Sequence, residues 1–490
     1  MYFIVKKEKV ILFVVFLLVV ALRLFLVFQT GNFSSDDAYY NVRITESLIE
    51  GKLIDHDVLS YGGRDVINTP AFNFILGFGF ISELMYKILP LLLISALVFI
   101  VYLISKEIIE DKKYVLLVTF MSGFIPILIT GTLNKVSVYS FLIPLIFLMI
   151  YSLMKIDKYL WLFIILSFVL PLVHADAFLF VFVLLFYLLL VGAEEIKISK
   201  LKMEAIVLCI FLVFLMEFII FKKAFLIDGL GIIWQGIPKG ILGNYFKDIS
   251  IFEIIYSVGI LPIFLGIGGV VLSFRENKEK LFLLNALILT TLLFLWLKII
   301  QPVVGLMFLG VSLSIVSVFS LDRFFNYMKK TKFFKFSNLI YVSLIGLVIV
   351  LMVIPSFVDG RDSIDNSFND EEIQGLEWLR DNTLEFSTVL ADLDEGHLIS
   401  GIAKRKNVMD TNFLLAPNTD DRFKHLSSLF SNVLSLEGAG FLLERYHVDY
   451  VYLSHRTKVK YNIRKLNYEN CLRKVFGNEN VEIFKVREKC

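Results

Sequence analysis

Ser35-Asp36-Asp37-Ala38-Tyr39-Tyr40-Asn41-Val42-Arg43 follows directly on the first apolar run of a 490-residue chain. Two adjacent carboxylates stand where a chain leaving a bilayer meets water, and two tyrosines and an arginine come at once after them. The polar stretch continues through Gly51, Asp57, Tyr61, Gly62, Gly63 and Arg64 to Asn68-Thr69-Pro70, where apolar sequence resumes. Two helices need far less than this to be joined. Long loops over a rigid scaffold are where binding and catalytic groups collect, so residues 29–69 are read as the catalytic first external loop of a polytopic α-helical membrane protein.

Composition supports that class. The chain is 57% hydrophobic and holds 48 phenylalanines, and its mean hydropathy is +0.75. These values exclude an ordinary soluble protein. The net charge of +2 comes without a concentrated basic patch, so no nucleic-acid partner is expected. Cys209, Cys471 and Cys490 have no metal-ligand spacing. Cys209 reads as a small buried hydrophobe. Cys471 and Cys490 share the C-terminal segment, where a disulfide outside the cytoplasm is one reading.

A spanning helix needs roughly 20 apolar residues. Eleven stretches are candidates: 10–28, 88–105, 114–131, 137–155, 159–174, 176–193, 203–222, 251–274, 281–299, 302–321 and 337–357. The first follows Lys6, Lys7 and Lys9 without a small-residue cleavage site and reads as an uncleaved anchor. Residues 70–86 are apolar but broken by Gly77 and Gly79, which suits an interfacial or re-entrant piece. Alternate connections carry Lys106, Lys112 and Lys113; Lys155 and Lys158; Lys197, Lys200 and Lys202; Arg275, Lys278 and Lys280; and Arg323, Lys329, Lys330, Lys332 and Lys335. The positive-inside rule makes these cytoplasmic, together with the N-terminus. Eleven spans then put the 29–69 loop and the C-terminus outside. The 223–250 connection, with Lys223, Lys239 and Lys247, fits the rule less well.

Near residue 358 the composition turns polar. Residues 1–357 form the transmembrane domain in this reading, and residues 358–490 a soluble extracytoplasmic α/β domain. A helix is predicted over Glu371–Arg380 and another over Gly438–Arg445, with strands at Val389–Leu393 and Tyr450–Leu453. Those elements make an α/β layer of sufficient length to bury a core.

Asp36 and Asp37 are the first chemical candidates. A carboxylate pair can bind a divalent cation or take a proton from an acceptor hydroxyl. It can also cap a helix beginning near Ala38, and both uses can coexist. Arg43 and Arg64 match phosphate oxygens, or lipid headgroups, or a structural ion pair. His174 and Asp176 interrupt a long apolar stretch at what reads as the tip of a helical hairpin; ionisable groups there are costly and functional by default, or they are the turn alone. Lys298 can neutralise a lipid phosphate or snorkel to the interface. Trp234-Gln235 can touch a sugar or belong to the interfacial belt.

The stretch Asp37–Arg43 resembles the Asp-Pro-Tyr-Phe-Asn-Tyr-Arg segment in the first external loop of the oligosaccharyltransferase catalytic subunit, a member of the glycosyltransferase C superfamily. Gly51, Tyr61, Gly63-Arg64 and Asn68-Thr69-Pro70 are similar to that family's continuation. Trp378–Thr383, Val389–His397 and Met409-Asp410-Thr411-Asn412 resemble its Trp-Trp-Asp-Tyr-Gly neighbourhood. Asp392-Leu393-Asp394-Glu395-Gly396 keeps the Asp394 and Gly396 positions of that motif and neither indole. The family's second acidic motif, expected before the fourth span, is replaced by Thr132–Ser137, which holds no carboxylate. The resemblance implies a short, divergent relative.

Such a relative would be an integral-membrane glycosyltransferase using a polyprenyl-phosphate-linked sugar and an extracytoplasmic acceptor: glycan, lipid or protein. Asp37 and Asp36 would be catalytic, Arg43, Arg64 or Lys298 would meet the donor phosphate, and His174, Asp176 and Asp394 would be further site residues. A divalent metal, Mg or Mn, is implied by the family and left open by the missing second motif. The cell membrane is the expected location. A catalytically degenerate accessory or lipid-glycan-binding subunit is the alternative. A transporter, which places ionisable groups at the midplane in repeated halves, fits less well.

Overall fold

The computed structural model describes residues 2–79, 82–276 and 279–487. They divide into two compact units. One comprises residues 1–29, 69–220 and 246–365; the other comprises residues 30–68, 221–245 and 366–490.

The first unit is helical. All eleven apolar stretches fall in helices, but fewer are long spanning rods. Among the described residues six helices are long and apolar enough to cross a membrane, or eight if each of two bent pairs counts as one span. Expected span 251–274 is bent by 97° between Ile251–Val258 and Ile260–Arg275. Gly259 stands at the break with φ of +98°, a conformation open to a residue without Cβ. Expected span 114–131 bends by 42° between Lys112–Gly123 and Pro126–Thr132. Pro126 opens the second piece because its ring has no N–H to continue the first. Tyr139–Met154 and Ala177–Ala193 are apolar but short, at 16 and 17 residues. The 70–86 segment contains an eight-residue helix, Ala71–Phe78, and its residues 80 and 81 lie outside the described ones.

Helix Pro302–Met328 is the axis of this unit: 94% of its apolar window is buried. Gly266 and Gly269 lie against Leu313 and Val316 of this helix, and a Cβ at either glycine would collide with them. Small residues permit such close backbone approach between spanning helices. The N-terminal helix, Tyr2–Val27, buries Arg23. Its guanidinium donates to Thr132 Oγ1 at 3.0 Å and to the Leu128 carbonyl at 3.3 Å, which supplies the polar partners an arginine requires at that depth.

The second unit is built on a five-stranded mixed sheet. A two-stranded hairpin precedes it, β1 (His56–Asp57) with β2 (Arg64–Asp65). The sheet strands are β3 (Thr388–Leu390), β4 (Lys406–Asn407), β5 (Val448–Ser454), β6 (Leu472–Gly477) and β7 (Val481–Val486), in the order β4-β3-β5-β7-β6. β3 pairs in parallel with β4 and β5, and β7 pairs antiparallel with β5 and β6.

Period-two alternation sorts the strand side chains to two faces. Val389, Tyr450, Tyr452 and Ile483 pack with Leu376 and Leu379 of helix Asp370–Asn382. Leu390, Val451, Leu453 and Phe484 pack with Leu426 and Leu429 of helix Thr419–Phe430 and with Leu442 and Leu443 of helix Leu436–Arg445. Helix, sheet and helix thus form three layers. The predicted helices and strands of this region are present, with ends shifted by no more than three residues. Cys471 is buried just before β6; its proposed partner Cys490 lies outside the described residues.

Two aromatic side chains tie the 30–68 segment to these layers. Tyr39 packs beside Ile399 and Leu398 in one core, and Tyr61 is buried in the other beside Phe413 and Met409.

Candidate functional site

Asp36 and Asp37 open helix Asp36–Ile49, and their fates diverge. Ser35 is at the N-cap position without a side-chain bond. Asp36 does not serve its own helix: it is buried, and its carboxylate accepts the N–H of Leu398 at 2.9 Å and of His397 at 3.2 Å. Burial pushes its pKa well above the usual aspartate range, and the neighbouring charge of Asp37 adds to that, while the two N–H groups oppose it. Asp37 points the other way. Its side chain is 68% exposed, and its Oδ1 accepts the Thr411 hydroxyl at 3.0 Å.

Beneath Asp37 lies a buried polar layer. His397 is fully buried, with Nε2 at 4.0 Å from Asp37 Oδ1 and 3.7 Å from Asp410 Oδ1. Tyr40 packs on its ring at 4.9 Å between centroids. Burial, helped by the charges of Arg43 and Arg64 against those of Asp410 and Asp37, holds the imidazole pKa below its ordinary value. Asp410 accepts from the Ser60 hydroxyl at 2.6 Å, from Asn407 Nδ2 at 2.9 Å and from the Asn412 N–H at 3.0 Å. Burial works to raise its pKa, but His397, Arg64 and these donors outweigh it and hold the group ionised below the usual range.

Local backbone geometry brings these groups together. Tyr61, Gly62 and Gly63 all have positive φ, which turns the 29–69 segment sharply enough for Tyr61 to donate its N–H to Asn407 and its hydroxyl to the Asp410 carbonyl. Gly396 has no room for a side chain: a Cβ there would run into the Met409 carbonyl and Asp410.

Arg43 and Arg64 are both buried. Arg43 forms a two-pronged pair with Asp57, with Nη1 to Oδ1 at 2.9 Å and Nη2 to Oδ2. Arg64 donates to Ser60 Oγ at 2.7 Å and to the Leu414 carbonyl at 2.8 Å, and its Nη2 is 4.0 Å from Asp410. Asp394 is exposed and shares Lys460 with Asp392, at 2.8 and 2.6 Å.

His174, Asp176 and Lys298 belong to the helical unit. His174 and Asp176 lie in the turn between Leu170–Leu172 and Ala177–Ala193. Tyr139 donates to Asp176 Oδ2 at 2.8 Å, and His174 Nδ1 accepts the Asp176 N–H at 3.2 Å. Lys298 follows helix Glu279–Trp296, is half exposed, and pairs with Asp248 at 3.1 Å.

Sequence reasoning did not single out His397, Asp410, Thr411 or Asp57 as site side chains. Segments 389–397 and 409–412 carried the family resemblance, but nothing in their spacing shows that they face Asp37. Glu217, buried in helix Lys200–Asp228 with both carboxylate oxygens unpartnered among the described residues, was hidden inside an apolar run.

Among the described residues no three His, Cys, Asp or Glu side chains are disposed to hold one ion. Asp36 is committed to two backbone N–H groups and Asp410 to three donors. This donor set does not fit the divalent cation that the resemblance implies.

No model of a known protein family matches the sequence, and neither does any curated protein. Solved membrane glycosyltransferases share its fold. The archaeal oligosaccharyltransferase AglB from Archaeoglobus fulgidus, in complex with an inhibitory peptide and a dolichol-phosphate, matches with TM-score 0.73 at 15% identity, over 94% of this chain and 70% of that one. ArnT from Cupriavidus metallidurans bound to undecaprenyl phosphate matches with TM-score 0.60 at 9% identity, over 98% of this chain and 97% of that one. Both are glycosyltransferase C proteins, and the fold is the one the resemblance implied.

Proposed function

We propose that this chain is an integral-membrane glycosyltransferase that moves a sugar from a polyprenyl-phosphate-linked donor to a hydroxyl of an extracytoplasmic glycan, lipid or protein. The observation that carries the reading is the split of the carboxylate pair. Asp36 is buried and anchors the helix start, which leaves Asp37 exposed and already holding a hydroxyl, that of Thr411. A general base must lie within hydrogen-bond reach of the proton it takes, and Thr411 marks that reach. The two fold relatives, whose structures hold dolichol-phosphate and undecaprenyl phosphate, support a lipid-phosphate donor.

In the proposed step the acceptor oxygen bonds to the anomeric carbon as its proton passes to Asp37. The bond from that carbon to the phosphate oxygen breaks, and polyprenyl phosphate leaves. The leaving group is anionic, so a cation near it lowers the barrier. Arg43, Arg64 and Lys298 are the proposed sources of that positive charge. The proposed topology has eleven crossings, with the N-terminus in the cytoplasm and the 358–490 domain outside. It rests on the distribution of lysine and arginine among the connections.

A transfer assay tests the reading. Purified protein receives a panel of radiolabelled polyprenyl-phosphate sugars and membrane extract as acceptor, with and without chelator, beside Asp37→Asn. Labelled product that vanishes in the variant is the expected result. Product that persists removes Asp37 from the chemistry. Lipid binding without product from any donor favours an accessory, lipid-glycan-binding role.

A further inference from the structure

The proposed reaction leaves His397 without a task, although its setting is unusual. The imidazole is fully buried, and neither Nδ1 nor Nε2 has a hydrogen-bond partner among the described residues. Buried polar atoms are nearly always paired, and one that is not calls for a reason. Nε2 faces two carboxylates, Asp410 Oδ1 at 3.7 Å and Asp37 Oδ1 at 4.0 Å. Asp410 already has three donors. Among the described residues Asp37 has one, Thr411, and that hydroxyl sits on Oδ1, the same oxygen that Nε2 faces. The ring itself is fixed: Tyr40 packs on it, and the His397 N–H is bonded to Asp36. The exposed Asp37 carboxylate is therefore the part that can move.

We propose that His397 is a positioning residue for Asp37: Nε2–H donates to Asp37 Oδ1 when the Thr411 hydroxyl is displaced, and thereby aims Oδ2 at the acceptor hydroxyl. This rests on the glycosyltransferase reading of Asp37. Only hydrogen bonds change in the exchange, and the acceptor proton still ends on Asp37. Asp410 lies beside the same nitrogen, and its negative charge favours the tautomer that carries the proton there. Holding a reacting group in one orientation raises the rate of the chemical step more than it raises affinity.

Two measurements on the full-length protein test the proposal. The first is NMR of protein labelled with 15N in histidine, with His397 assigned from its loss in His397→Gln. Thr411→Val opens Oδ1, so it should produce a slowly exchanging Nε2–H signal that the Thr411→Val, Asp37→Ala double variant, which has no side-chain acceptor there, lacks. Identical His397 spectra in wild type and both variants overturn the pairing. The second is kinetic. His397→Phe should lower kcat about tenfold or more with the donor KM within about twofold, and His397→Gln, which keeps an N–H donor, should recover part of the loss. Unchanged kcat in His397→Phe overturns the positioning role. If the wild-type protein transfers no sugar from any donor, the function reading fails, and the NMR experiment still decides whether His397 pairs with Asp37.

Discussion

Asp36 accepts the backbone N–H of Leu398 at 2.9 Å across 362 residues of sequence. With the His397 N–H it closes the start of one helix onto the start of another, all inside the unit that contains the sheet. Asp36→Ala removes the acceptor of two buried N–H groups. Each unpaired buried group costs roughly 1–3 kcal/mol, so the variant should lose about 2–6 kcal/mol and exchange amide hydrogens faster at residues 396–400. Asp37→Ala, which removes one exposed bond, should melt like wild type. Equal destabilisation by the two variants would refute the division of labour within the pair.

The Arg43–Asp57 pair makes an opposite forecast to phosphate binding by Arg43. Removing one partner of a buried pair strands the other and costs about 3–5 kcal/mol, whereas replacing both with apolar residues of similar volume is near neutral. Arg43→Met should therefore lower stability by that amount, and Arg43→Met with Asp57→Leu should restore most of it. If Arg43 instead served the donor, Arg43→Met would raise the donor KM with little change in melting. Acid acts on the same pair. Burial raises the Asp57 pKa, but the Arg43 bonds and charge outweigh that and leave it depressed. Its contribution is therefore fully present above the ordinary aspartate value of about 3.9 and is lost as pH falls below that value.

The elements legible in the sequence were those with a local signal. Polarity after an apolar run marked the 29–69 segment, and lone strands such as Tyr450–Leu453 stood out by their aromatic and β-branched content. Their order gave the α/β character of that region, whereas the helix Thr419–Phe430 on the second face of the sheet was not read. The bend at Gly259 was not legible, because a glycine inside an apolar run reads the same whether its φ is negative or +98°. Arg23 and Glu217 were overlooked because windows of apolar residues average single charges away. The partners of Asp37 were illegible for another reason. Thr411 is 374 residues from it, and no periodicity connects residues at that distance. Family resemblance pointed to the right segments without showing which side chains meet.

Gly396 supplies a steric prediction. Its neighbours are the Met409 carbonyl and the backbone and Cβ of Asp410, which are parts of the chain that cannot rotate away as a long side chain can. Gly396→Ala should cost at the upper end of about 1–3 kcal/mol, the range for overpacked sites. It should also reduce transfer beyond what the stability loss explains, since Asp410 would have to move from Ser60 and Asn407. Gly31, which has open space around it, is the control; Gly31→Ala should change neither.

Glu395, adjacent to the glycine, predicts how stability depends on pH. It is buried, and it accepts the hydroxyl of Thr457 at 3.0 Å and that of Ser454. Burial, with the charge of Asp392 added, pushes its pKa up to about 8, against about 4.3 for an unfolded glutamate. Between those values the folded chain holds a proton that the unfolded chain has released. Stability then falls as pH rises, by about 1.4 kcal/mol per pH unit from this group alone. Below about 4.3 the group contributes no slope, and above about 8 none further. Glu395→Gln keeps an oxygen acceptor for the hydroxyls and has nothing to ionise. Thermal or denaturant unfolding of the two proteins from pH 5 to pH 8 should show the wild type losing stability relative to the variant throughout the interval. Parallel curves would mean that Glu395 is ionised in the folded protein and that the two hydroxyls compensate its burial.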